Sequence, residues 1–343
     1  MHRILVTGGT GYIGSHTVVE LLNAGYYVAI IDNLSNSNSD VIDSIERITG
    51  LFPDFDQIDL CDYNVLDKYL SYNKFDAIIH FAASILVDES IKKPLQYYKN
   101  NLLSLINILE LSVKHNIDKV VFSSSCSVYG EPDSLPVNES ASIKKAECPY
   151  ANTKQIGEEI IEDTVAAGRD LQSRPNNLKA ISLRYFNPIG AHDTALIGEH
   201  PIGPPSHLIT IITRYVSENK TINVYGNDYN TPDGTCIRDY IHVMDVAKAH
   251  VIATERLLKG KNKSSYEVFN LGTGTGHSVL EAINTFEKAT GEKCNYKLVA
   301  RRAGDVEKVY ADTSKANNEL GWKAEKTFEE AIQSAWKWEK KKL

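Results

Sequence analysis

The first half of this chain predicts a doubly wound α/β fold, a parallel sheet with helices on both faces. Three observations carry that expectation. Short, predominantly apolar runs recur without polar alternation, helical patterns separate them, and a glycine-rich turn joins the first run to the first helix. A strand that is apolar on both faces has to be covered on both, as parallel strands in a helix sandwich are.

The elements follow in order. "RILVT" is a short strand, and "YIGSHTVVELLNAG" a helix closed by Gly25. "YYVAIID" is a second strand, followed by a helix around "DVIDSIERI". "FDAIIHFA" and "KVVFSSS" are further apolar runs, separated by a long helical pattern from Tyr98 to Lys114, and "LKAISLRYF" is another. After Phe186 the texture changes to a Gly-, Pro- and His-rich segment, "NPIGAHDTALIGEHPIGPPSH". The short strand candidates "INVYG", "YEVFNLG" and "YKLVA" follow, with helices between and after them. The expected division is a doubly wound, Rossmann-type cofactor-binding domain over 1–186 and a smaller mixed α/β substrate-binding domain over 187–343. The segment 236–259 is expected to return to the first.

Bulk properties exclude several classes. A length of 343 residues suits about two domains. A formal charge of −7 leaves no basic footprint for nucleic acid. No apolar run approaches the ~18 residues a membrane span needs, and "MHRILVTGG" enters a strand too soon for a signal peptide. Five scattered cysteines without a Cys-x-x-Cys pair argue against a disulfide framework or a metal site, and for a reducing, cytoplasmic setting. The "KWEKKK" tail reads as the solvated end of a last helix.

The turn "VTGGTGYIGSH" carries the first chemistry. Gly9, Gly11 and Gly14 satisfy Gly-x-Gly-x-x-Gly, and Gly8, Gly11 and Gly14 give Gly-x-x-Gly-x-x-Gly. Such a turn lets backbone approach a pyrophosphate, and the helix opening at Tyr12 and Ile13 offers N–H groups and a positive dipole to it. Asp32, 18 residues after Gly14, ends the second strand, where an acid binds the adenosine ribose hydroxyls. No arginine follows it in "DNLSNSNSD", so NAD is favoured over NADP. Asp59, before Leu60, either reads the adenine or is a turn aspartate.

"KVVFSSSCSVYG" ends a strand in Ser123, Ser124 and Ser125, where ligands of open α/β sheets sit. Tyr150 and Lys154 open the next helix four residues apart, on one face. Lowering a phenol from a pKa of ~10 to ~7 takes about 4 kcal/mol. A nearby ammonium and the positive nicotinamide ring can supply it.

With these residues in place, the sequence resembles the extended short-chain dehydrogenase/reductase superfamily, and within it the UDP-glucose (UDP-galactose) 4-epimerase family. The likeness runs nearly end to end through "PLQYYKNN", "FSSSCSVYG", "LRYFNPIGAH", "YGNDYNTPDGTCIRDYIHVMD", "NLGTG" and "RRAGD". It implies that Tyr150 takes the proton of the sugar 4-hydroxyl while the C4 hydride passes to NAD, that Ser125 shares that oxygen, and that Lys154 binds the nicotinamide ribose. The 4-keto sugar then turns and takes the hydride back on its other face. Cofactor contacts are implied at Gly8, Gly11, Tyr12, Ile13 and Gly14, and at Asp32, Asn33, Asp59 and Leu60. Further ones fall at Phe81, Ala82, Asn100, Ser123, Tyr150, Lys154 and Phe186. Substrate contacts are implied at Ser125, Tyr150, Asn187, His207, Leu208, Tyr225, Arg238, Arg302, Asp305 and Val309. A homodimer built on helices such as "NNLLSLINILELSV" is implied as well.

Three departures stand out. Ile85 replaces a lysine common in the family, His207 replaces an asparagine that touches the diphosphate, and Val309 is a small residue at the wall facing the sugar's 2-substituent. The last leaves room for an N-acetyl group. A 4,6-dehydratase needs an acid pair where this chain has Cys126 and Ser127. A reductase or dehydrogenase is not forbidden by the sequence, but the C-terminal blocks favour the epimerase. A non-catalytic NAD-binding protein is expected to lack Tyr150, Lys154 or Ser125.

Overall fold

The computed structural model describes residues 1–167, 177–302 and 305–342. The first half alternates strands and helices: β1 (Arg3–Thr7), α1 (Tyr12–Asn23), β2 (Tyr27–Asp32), α2 (Asp40–Thr49), β3 (Asp54–Gln57), α3 (Tyr63–Tyr72), β4 (Ala77–His80), α4 (Val87–Lys92), α5 (Pro94–Lys114), β5 (Lys119–Ser125), α6 (Pro149–Ala167) and β6 (Lys179–Tyr185). The second half adds β7 (Asn187–Ile189), α7 (Leu208–Ser217), β8 (Ile222–Tyr225), β9 (Ile237–His242), α8 (Val243–Leu258), β10 (Tyr266–Leu271), β11 (Gly276–Ser278), α9 (Val279–Thr290), β12 (Tyr296–Val299), β13 (Lys308–Val309) and α10 (Phe328–Lys342).

Seven strands form one parallel sheet in the order β10-β6-β5-β4-β1-β2-β3. This is the doubly wound arrangement expected, and its apolar strands are covered on both faces. Alternation along β1 sends Ile4 and Val6 to one core with Val18 of α1 and Val246 of α8, and Leu5 to the other with Leu105 of α5 and Ile161 of α6. The strand order reverses between β1 and β4. The carboxyl ends of those two strands therefore diverge into a crevice, where such sheets bind ligands.

The smaller part is built on β9, which pairs antiparallel with β11 and parallel with β13 and β7. A two-stranded parallel sheet, β8 with β12, stands beside it. Helices α7, α9 and α10 share a third core with Ile189, Val224 and Tyr240.

Two elements differ from their expected places. Of the segment 236–259 only α8 joins the large sheet, packing on α1, while β9 is the centre of the small one. Strand β10 was expected in the smaller part. It instead extends the large sheet, aligned with β6 from Tyr266 opposite Ala180 to Leu271 opposite Tyr185. A short apolar run specifies a strand but not its neighbour, and both assignments bury it. Helix α5 also begins earlier than the Tyr98 expected, at Pro94, where proline's fixed φ suits a first helical turn. In the "RRAGD" block, Ala303 and Gly304 lie outside the described residues.

Candidate active site

The glycine turn sits at the crevice between β1 and β4. Gly8 has φ +71, and a Cβ there would lie 2.6 Å from the Ala82 nitrogen in the loop after β4. A Cβ on Gly14 would lie 2.3 Å from the Gly8 carbonyl oxygen. Helix and turn are thus as close as backbone allows. Gly11 is the N-cap of α1 and no side chain caps that end. The first N–H groups of α1, including those of Tyr12 and Ile13, face the turn with no intrahelical acceptor. A backbone-lined cradle closed to any Cβ and fronted by uncapped donors fits a pyrophosphate.

Asp32 closes one side. Its carboxylate accepts from Thr10 N at 3.3 Å, from Leu34 N at 2.9 Å and from Ser37 Oγ at 3.3 Å, which ties the end of β2 to the glycine turn. The Asn33 side chain accepts from Ser35 N at 3.0 Å. Asp59 is exposed and accepts from Cys61 N at 2.9 Å, the local bond of a turn aspartate. Leu60 is buried, and its carbonyl accepts from Asn107 at 2.8 Å. Phe81 packs on the His250 ring at 4.6 Å. Asn100 reaches Ser84 and Asn101, bracing the loop that carries the exposed Ile85. Tyr12 does more than line the turn. Its hydroxyl donates to the Gly190 carbonyl at 2.7 Å, fastening the turn to the loop after β7.

Tyr150 is the second residue of α6, beside the end of β5. Burial holds its phenol above the ordinary range, outweighing the neighbouring Ser125 hydroxyl, which favours the phenolate. Lys154 is buried on the same helix, 4% exposed, and its pKa falls to about 8 through burial, with Glu158 opposing the fall. Its ammonium donates to the Ser123 carbonyl at 2.6 Å and lies 4.8 Å over the Phe122 ring. Among the described residues no hydrogen bond joins Lys154 to Tyr150. Burial, Ser125, Cys126 and Cys148 set the phenol's displacement, and the Lys154 ammonium is directed at the Ser123 carbonyl. Spacing put both on one face, but the lysine's longer reach takes its charge to the strand carbonyl. The Ser123 hydroxyl bonds the Tyr185 hydroxyl.

The remaining candidate residues come from the second half. Phe186 and Val309 pack in one buried cluster with Val128 and Tyr129, against Cys126. Val309 is directly opposite Arg238 in the β13–β9 pairing, and Arg238 acts electrostatically on Cys126. The Asn187 side-chain oxygen is buried without a hydrogen-bond partner. Arg302 donates to Asp305 at 2.8 Å and lies 5.8 Å over the Tyr225 ring, joining those three. His207 is the N-cap of α7, before Leu208, and pairs with the buried side of Glu199, which raises the imidazole pKa. Among the described residues no hydrogen bond or ion pair joins His207 to Arg238 or Arg302.

Sequence reasoning missed Glu199. It also missed that the tail is not simply solvated: Trp338 and Lys342 of α10 donate to the Glu199 carbonyl at 2.9 and 3.1 Å. It missed as well Glu158 and Arg184, which form a buried pair under the serines. For Glu158 a signal existed, an acid one helical turn beyond Lys154. Among the described residues no His, Cys, Asp and Glu cluster could hold a metal, and all five cysteines are free.

Known proteins are similar to the chain in sequence and in fold. The sequence model of the family described as GDP-mannose 4,6 dehydratase matches residues 5–335. A UDP-glucose 4-epimerase of Bacillus subtilis is 44% identical over 337 residues, covering 98% of this chain and 96% of that protein. The crystal structure of a Stenotrophomonas maltophila UDP-glucose-4-epimerase with bound NAD and formylated UDP-arabinopyranose superimposes with a TM-score of 0.94 at 44% identity, covering 100% of this chain and 99% of the other. That of the Bifidobacterium longum UDP-glucose 4-epimerase with NAD+ and UDP gives 0.92 at 42% identity, covering 99% and 98%. By sequence and by fold, the chain belongs to the UDP-glucose 4-epimerase family of the extended short-chain dehydrogenase/reductase superfamily.

Proposed function

We propose that the chain is an NAD-dependent isomerase that interconverts UDP-glucose and UDP-galactose at C4 through a 4-keto sugar. The observation that carries this reading is Tyr150 set against Ser125 at the end of β5, beside a glycine cradle that fits a dinucleotide. When bound, NAD accepts the C4 hydride and returns it, and its positive ring is the cation that favours the Tyr150 phenolate.

In this reading the backbone at Gly8, Gly11 and Gly14 and the start of α1 hold the pyrophosphate, and Asp32 takes the adenosine ribose. Lys154, fixed by the Ser123 carbonyl, would hold the nicotinamide ribose. Tyr150 removes the proton of the sugar 4-hydroxyl, and Ser125 hydrogen-bonds the same oxygen, so the proton moves between neighbouring groups. Arg238 and Arg302 offer planar forks to the diphosphate, the exposed Tyr225 offers a face for the uracil, and Asn187 has a buried acceptor free for the sugar. Dehydration is disfavoured: burial raises the Cys126 thiol to about 12, and Ser127 is no acid.

A second substrate class is favoured by Val309. It packs beside Phe186 with a shorter side chain than a tyrosine, and we infer that the N-acetylhexosamine pair UDP-GlcNAc and UDP-GalNAc is accepted too. The exposed apolar residues Val65 of α3 and Ile106 and Val113 of α5 support a homodimer through those helices. Five free thiols support a cytoplasmic setting, and the proposed UDP-galactose substrate supports a place in galactose metabolism.

The test is to incubate purified protein, without added NAD, with UDP-galactose and UDP-GlcNAc separately and to separate the products by chromatography. UDP-glucose and UDP-GalNAc are expected. No epimer from UDP-galactose even with NAD added sinks the function. Epimer from UDP-galactose alone, unchanged in Val309→Tyr, sinks the second substrate class.

A further inference from the structure

The three serines of β5 do not all face the same way. Ser125 lies on the Tyr150 side, where its hydroxyl influences the phenol, and Ser123 meets Tyr185 through its hydroxyl and Lys154 through its carbonyl. Strand alternation turns Ser124, between them, to the opposite face of the sheet. There its hydroxyl donates to Glu158 Oε1 at 2.5 Å. Glu158 lies on α6, one helical turn beyond Lys154 and two beyond Tyr150. Its carboxylate is gripped from β6 by Arg184, through Nε at 2.9 Å and Nη2 at 2.5 Å. Arg184 is directly opposite Ser124 in the strand pairing. Its third nitrogen, Nη1, donates at 2.9 Å to the hydroxyl of Tyr129, which donates to Asn270 at the end of β10 at 2.7 Å. Tyr129 closes the 3-10 turn that starts at Cys126, immediately after Ser125.

One carboxylate therefore fastens three parts of the pocket: the helix carrying Tyr150 and Lys154, the strand carrying Ser125, and the turn that follows. Ser124 is 0% exposed, Glu158 7% and Arg184 6%. A buried ion pair of this kind adds little net stability over an apolar replacement, so fixed geometry is the better account of it. A fork with two parallel bonds holds distance and angle together.

We propose that Glu158, backed by Arg184, is a positioning residue for the 4-epimerase reaction, setting the separation of the Ser125 hydroxyl from Tyr150 through its grip on Ser124. The inference rests on the catalytic roles given to Ser125 and Tyr150 above. It assigns no contact with substrate or cofactor to Glu158. Proton transfer is steep in distance, and small misplacements of reacting groups cost about tenfold to a hundredfold in rate.

The experiment uses the NAD-loaded enzyme with UDP-galactose and compares wild type, Ser124→Ala, Glu158→Gln and Tyr150→Phe. Ser124→Ala keeps the ion pair and removes only the grip on β5, so it decides the matter even if Glu158→Gln does not fold. The expected result for Ser124→Ala is a kcat about tenfold down, with KM and NAD content near wild type and the thermal midpoint lower by a few degrees. Glu158→Gln, where folded, falls at least as far with the same split. A Ser124→Ala kcat within about twofold of wild type, or a loss shared with KM and NAD content, overturns the positioning role. If Tyr150→Phe is inactive while Ser124→Ala is not impaired, only this inference fails. If wild type does not epimerise, or Tyr150→Phe keeps its rate, the functional reading fails and takes this inference with it.

Discussion

The glycine turn and the Tyr150 pocket lie at the ends of strands in the same sheet, yet they are made of opposite materials. The turn is backbone. Its shape is set by backbone contacts, from Gly14 to the Gly8 carbonyl within the turn and from Gly8 to Ala82 in the loop after β4, and nothing in those contacts titrates. The pocket is side chain. Its groups come from β5, α6, β6, β7, β9 and β13, and several have pKa values displaced by burial or by a neighbour. The first kind of site is rigid because atoms exclude one another. The second is held by charges and hydrogen bonds between distant segments, and so depends on pH and on remote residues.

The largest effect that tests this contrast is at the phenol. Tyr150→Phe removes the hydroxyl and leaves the cradle untouched. Turnover is expected to fall about 10²- to 10⁴-fold, while NAD released by denaturing the protein stays at the wild-type amount. A loss under tenfold moves the base elsewhere. The wild-type pH profile of kcat carries a second sign. Burial lowers Lys154 to about 8, so its cation is complete below that pH and lost above it. An alkaline decline in kcat near that value is expected, and a profile flat well beyond it contradicts a working Lys154 cation.

The cradle gives a smaller effect of another kind. In Gly14→Ala the new methyl meets the Gly8 carbonyl at 2.3 Å, so helix and turn must separate. Overpacking of this sort costs about 1–3 kcal/mol, and carried into the cradle that is about fivefold to 150-fold in cofactor affinity. Isothermal titration with NAD checks it. The loss should be the same across the neutral pH range, because no titrating group is involved. A loss that varies with pH breaks the contrast.

The same contrast explains what the sequence disclosed. Gly8, Gly11, Gly14 and Asp32 were legible because their constraint is local: strand, turn and helix follow one another, and the spacing is the mechanism. Tyr150 and Lys154 were legible as a pair on one helix face, but the direction of the lysine was not. It depends on the Ser123 carbonyl, 31 positions away. Glu158 and Arg184 are 26 positions apart, on different elements, and nothing local marks either as the other's partner. Strand β10 was legible as a strand and misplaced for the same reason: hydrophobic pattern fixes which faces are buried, not which edge the strand joins.

His207 offers the smallest effect and the most direct measure of pH dependence on the substrate side. Its imidazole pairs with Glu199, which also accepts from Thr210. Glu199 raises the imidazole pKa above its ordinary 6.5, and the histidine and threonine hold the Glu199 carboxyl below its ordinary 4.5. The histidine's contribution to stability is thus complete below 6.5 and lost as pH rises through its raised value. The carboxylate's is complete above 4.5 and lost as pH falls through its lowered one. Between those ordinary values both hold. The His207 side chain is 46% exposed, so solvent screens the pair to at most about 1 kcal/mol. In His207→Asn the thermal midpoint should fall by a few degrees or less at pH values between the two. The difference should fade toward alkaline pH, while Gly14→Ala shows no such trend. A His207→Asn difference that stays constant into alkaline solution means the pair is not acting as charges, and the substrate side is then as insensitive to pH as the cradle.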